Sequence, residues 1–138
     1  MEDRPFSDTA FEKFLSEDKL MGSRCEQCNA LYVPPRPICI KCRGDRLTWE
    51  EMSGSGKLAA FTCISIGPSF MIAEGYNRNN PYCSAVVELA EGPRVDARID
   101  GVDPKNPETI KIGTPLAVKY IHGQRDGRPM TYLAFKPA

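Results

Sequence analysis

The sequence predicts a mainly β protein: one N-terminal helix, a small cysteine ribbon, and a five-stranded barrel. Three observations carry that prediction. An aromatic stripe at spacings of three and four opens the chain, and two Cys-x-x-Cys pairs stand ten residues apart. Beyond residue 57 the apolar residues fall into five short runs bounded by Gly, Pro, Asn and Asp.

The helix is expected over 7–19, SDTAFEKFLSEDK. Ser7 or Asp8 can cap its start, and Phe11, Phe14 and Leu15 fall on one face. A helix this short is marginal alone in water, so its stripe must dock on the rest of the chain or on a partner protein. The expected division is a helical segment at 1–22, a ribbon at 23–52 and a barrel at 53–138. SGSGK at 53–57 reads as a small-residue hinge between the last two.

The ribbon rests on CEQCNALYVPPRPICIKC, residues 25–42. A two-residue gap lets one tight turn aim both sulfurs at a single ion, with the amides of the turn facing the thiolates. Cys25, Cys28, Cys39 and Cys42 together complete a tetrahedral sulfur cage, which suits structural Zn2+. A rubredoxin-like iron centre or thiol–disulfide chemistry is compatible with the same residues. The three prolines between the pairs stiffen the return and lower the entropy lost on closing the site. Four thiolates fill the coordination sphere, so such a site holds a fold rather than activating water.

The barrel strands are LAAFTCISI at 58–66, SAVVELA at 84–90, RVDARID at 94–100, PLAVKYIHG at 115–123 and MTYLAFK at 130–136. Glu91-Gly92-Pro93 and Arg125-Asp126-Gly127-Arg128 read as hairpin turns. Alternation in RVDARI places Val95, Ala97 and Ile99 inside and Arg94, Asp96 and Arg98 in water. Five strands with a longer interruption after the third fit an OB-type barrel, which closes its own edges. The 67–81 segment is long for a barrel loop, and its Phe70, Met71, Ile72 and Tyr76 would suit a partner interface if exposed.

Catalytic chemistry is hard to find. Cys63 and Cys83 lie in apolar runs and read as small buried hydrophobes. The single histidine, His122, reads as an exposed turn residue beside Gly123. No Gly-x-Ser-x-Gly or Gly-x-x-x-x-Gly-Lys occurs. Lys+Arg and Asp+Glu balance at 18 each, with 8 basic and 9 acidic residues in 1–50 and 10 and 9 in 51–138. That balance argues against a phosphate-gripping face. With no membrane-length apolar run and no signal-peptide pattern, the expected compartment is the cytoplasm, where thiols stay reduced.

Taken in order, RCEQCNALYVPPRPICIKC, SGSGKLAAFT, PYCSAVVELAEGPRVDARIDG and IKIGTPLAVKY resemble the zinc-ribbon/OB-fold acyl-CoA-associated proteins, long treated as a domain of unknown function. The similarity spans residues 8–136. It implies a non-catalytic accessory subunit in lipid metabolism, in a hetero-oligomer with a thiolase of the sterol-carrier-protein type. The barrel in such proteins is thought to help hold the CoA part of the substrate. A phosphate-rich nucleotide wants cations and an apolar surface, and Lys57, Phe61 and Arg98 are the candidate CoA contacts. The competing expectation is a nucleic-acid-binding module, since ribbons and OB barrels both occur in such proteins.

Overall fold

The computed structural model describes residues 4–65, 67, 69–76, 79, 81–125 and 127–138, with Phe70 and Arg125 described by backbone alone. Ser7 begins the helix, its hydroxyl accepting from the amide of Ala10, and α1 runs Asp8–Ser16. Phe14 is fully buried, its ring 4.8 Å from that of Trp49; Phe6 packs on the same indole at 4.7 Å. The indole nitrogen donates to the carbonyl of Arg4 at 3.0 Å. The apolar stripe is therefore spent inside the chain, Phe14 on the ribbon and Phe11 and Leu15 on the cluster that includes the barrel interior. Burying a ring of this size contributes about 2–3 kcal/mol.

The ribbon is a three-stranded antiparallel sheet. β1 (Met21–Cys25) lies between β2 (Leu31–Tyr32) and β3 (Leu47–Glu51). Beyond it come β4 (Ser55–Ile64), α2 (Ser69–Ala73), β5 (Tyr82–Leu89), β6 (Arg94–Ile99), a 3-10 turn at Pro107–Thr109, β7 (Pro115–Arg125) and β8 (Arg128–Pro137). The five strands close in the order β4-β5-β6-β8-β7, with β4 and β7 pairing to complete the ring. The seam between β6 and β8 is parallel, pairing Arg98 with Ala134 and Ile99 with Phe135. This is the expected five-stranded OB barrel. One buried cluster runs from its interior (Leu58, Val87, Phe135) to Leu15 of α1 and to Val33 and Met52 of the ribbon. Helix, ribbon and barrel thus share a core.

Several expectations need correction. SGSGK is not a free hinge: Ser55, Gly56 and Lys57 are already in β4, paired with β7. A Cβ on Gly56 would stand 2.7 Å from the carbonyl oxygen of Glu88, so the glycine serves a close approach between strands. Cys63 and Cys83 are directly opposite one another in β4 and β5 and form a disulfide. A sequence separation of 20 hid that pairing, and reduced thiols are not what this pair shows. His122 lies within β7 rather than in a turn; its Nε2 is 2.7 Å from Asp18 Oδ1, tying the end of α1 to the barrel. The described residues 69–76 of the 67–81 segment fold back over the barrel: Met71 is buried, Tyr76 half-buried and Ile72 exposed. Ile66, Pro68, Asn77, Arg78, Asn80, Asp126 and the Phe70 side chain lie outside the described residues.

Candidate metal centre and barrel face

The two cysteine knuckles are built alike. In the first, the Cys25 amide donates to the Ala30 carbonyl, the Asn29 amide donates back to Cys25, and Asn29 takes φ 65°. In the second, Cys39 donates to Gly44, Arg43 donates to Cys39, and Arg43 takes φ 61°. Each turn aims its own amides at the first sulfur. The Cys28 amide leads in lowering the Cys25 thiol below its ordinary value, and the Cys42 amide leads in lowering Cys39 to about 6. At Cys42 the Gly44 amide favours the thiolate, but neighbouring Cys25 and Cys39 and burial outweigh it, pushing the thiol up to about 12. Four crowded thiols cannot all ionise without a cation among them.

All four sulfurs lie within 4.8 Å of one another, with Cys25–Cys42 at 3.5 Å and Cys28–Cys39 at 3.4 Å. Sulfurs at about 2.3 Å from a tetrahedral ion stand about 3.8 Å apart. The cluster therefore fits a tetrathiolate metal, with Cys25 and Cys39 buried and Cys28 and Cys42 exposed. Sequence reasoning missed Tyr32, whose hydroxyl accepts from the Ile40 amide at 2.9 Å and lies 3.3 Å from Cys39 Sγ. A hydroxyl whose lone pair is so used can donate to the sulfur, which orients the ligand and moderates its charge. No periodicity or spacing marks such a tyrosine.

The three candidate CoA contacts do not share one place. Lys57 is exposed and pairs with Glu88 at 3.1 Å. Phe61 stands opposite the buried Ala85 and packs against the barrel core. Arg98 is on the outer face expected of it but is covered there: its side chain is 9% exposed and salt-bridged to Glu74 at 3.1 Å. Its guanidinium lies 5.4 Å from the Tyr76 ring and 5.2 Å from that of Tyr132. The folded-back α2 segment covers it, which alternation along β6 could not reveal.

Around Arg98 the outer face of β5 and β6 carries a cleft of about 300 Å³ lined by Met71, Tyr82, Ser84, Asp96 and Tyr132. It adjoins, through Asp96 and Leu133, a second hollow of about 240 Å³ reaching Phe11 of α1 and Pro34 of the ribbon. OB barrels bind elongated ligands on this face, beneath the loop joining the first two strands. Trp49, the one tryptophan, is buried under α1 and offers no ring for a base to stack on.

Two family models match: the rubredoxin-like zinc ribbon domain of ChsH2 over residues 13–48, and the C-terminal OB-fold domain of ChsH2 over 49–120. A DUF35 domain-containing scaffold protein of Methanocaldococcus jannaschii is 35% identical across 86% of this chain and 81% of that protein. The chain belongs to the DUF35 family. A further relative, the benzoylsuccinyl-CoA thiolase subunit BbsA of Geobacter metallireducens, is 30% identical over 59% of this chain and 51% of its own length. The solved Ltp2-ChsH2(DUF35) aldolase superposes with a TM-score of 0.77 at 23% identity, covering 99% of this chain and 98% of that one, a likeness of fold. This DUF35 chain thus has the ribbon-plus-OB architecture that its sequence suggested. No helix among the described residues is long and apolar enough to cross a membrane.

Proposed function

We propose that this chain is the non-catalytic subunit of a thiolase complex, of the sterol-carrier-protein type, acting on acyl-CoA. The observation that carries the reading is family membership across residues 13–120, with relatives described as a scaffold protein and as a thiolase subunit. The chain's own chemistry agrees with it. A cage of four thiolates leaves its metal, which we take to be Zn2+, no position for water or substrate. Its contribution is to hold the ribbon and, through Trp49 and Val33, to seat α1 against the barrel.

In this reading the groove on the β5–β6 face takes the extended CoA arm. Arg98 is the candidate contact that lines it; Lys57 would reach only ligand bound near Glu88, and Phe61 would act from within the barrel wall. Co-expression with the thiolase from the same source tests the proposal. A stable complex is expected, with thiolase activity falling when this chain is withheld. A monodisperse monomer with affinity for neither thiolase nor CoA would overturn it.

A further inference from the structure

The two knuckles share one backbone but not one surface. Around Cys25 the flanking residues are Arg24 and Glu26, both polar; around Cys39 they are Ile38 and Ile40, 56% and 59% exposed. The first knuckle shows that the turn and its ligands need no apolar neighbours. The isoleucines of the second are therefore surplus to metal binding, and exposing them to water costs free energy. They are two of four large exposed hydrophobics among the described residues, one residue either side of a buried ligand.

Cations ring them. Arg36, Lys41, Arg43 and Arg46 are exposed, and none of the four enters a salt bridge among the described residues. Within 36–46 the only acid is Asp45. Arg43 sits at φ 61°, a left-handed position filled by Asn29 in the first knuckle and disfavoured for a long side chain. An arginine is kept where the backbone prefers asparagine or glycine.

We infer that the tip of the second knuckle is a docking surface for the enzyme subunit, taking an apolar pocket bordered by carboxylates. The inference rests on the proposed complex and names the face that makes it. An apolar centre with an Arg-rich polar rim is the anatomy of a protein interface. A nucleic acid would use the cations but leave the isoleucines in water.

The test uses the full chain co-expressed with the thiolase, in wild-type form and as Ile38→Asp/Ile40→Asp and Lys41→Glu/Arg43→Glu. All four side chains point to solvent, so metal content and circular dichroism should match the wild type. The isoleucine pair is expected to weaken the complex at least about tenfold. The charge reversal is expected to slow association and flatten its salt dependence. If the wild-type complex forms and both metal-loaded variants keep it, this inference falls and the proposed function stands. If the wild type forms no complex, both fall. Loss of single-stranded DNA binding in the charge reversal, with the thiolase complex intact, would make the patch a phosphate site and overturn the inference as well.

Discussion

The ribbon draws its fold from four sulfurs within residues 25–42, whereas the barrel draws its own from side chains spread between Ser55 and Pro137. The first is local chemistry with one dominant contact; the second is the sum of many weak burials, none decisive. The difference teaches where each can be broken, and also where function has room to act. A ribbon held by a filled coordination sphere has nothing left for a substrate. A barrel closed by strand pairing can give up an outer face, and here that face carries the groove.

The sharpest break should come at the metal. Replacing Cys39 by serine removes a buried ligand, and apparent binding energies for structural zinc are on the order of 10 kcal/mol. The expected outcome is loss of bound metal and of the Trp49 environment, read by metal analysis and tryptophan fluorescence. Next in size, Phe135→Ala inside the barrel and Phe14→Ala beneath the ribbon should each cost about 3–5 kcal/mol in denaturant melts. They should differ in kind. Phe14→Ala is expected to change Trp49 emission before global unfolding, since the two rings touch, while Phe135→Ala should leave it unchanged until the whole chain melts. Coincident behaviour would mean the two regions unfold as one.

Smallest is the ion pair on the ribbon sheet, where Arg24 holds Glu50 through two contacts at 3.1 and 2.7 Å. Hydrogen bonding to Arg24 keeps the Glu50 carboxyl below its ordinary value of 4.5. Because the folded value is depressed, the contribution is full above 4.5 and is lost as pH falls through the folded value. Both side chains are about a third exposed, so Glu50→Gln should cost only about 0.2–1 kcal/mol near neutral pH. The variant should also show a shallower acid dependence in melts with metal held saturating.

What could be read in the sequence follows the same division. The cysteine spacing, the Ser7 cap and the Gly92 and Gly127 turns are local signals, and each element they mark is present. Non-local facts were invisible. Cys63 meets Cys83 only once β4 and β5 are in register. Simple alternation from the exposed Lys57 would keep Phe61 on the outside, but an irregularity between Leu58 and Ala60 shifts the phase and turns Phe61 toward the core. Arg98 faces outward as alternation requires, yet Glu74 and Tyr76 arrive from another segment to cover it.

The claim that the metal centre is architectural is tested most directly by a chelator titration of the proposed thiolase complex. Metal content, Trp49 fluorescence and thiolase activity are followed together. The account predicts that all three fall along one curve, because losing the ion unseats the ribbon and with it the subunit. Activity lost at full metal depletion while Trp49 and the complex remain as in the wild type would contradict it and give the ribbon metal a direct part in the chemistry.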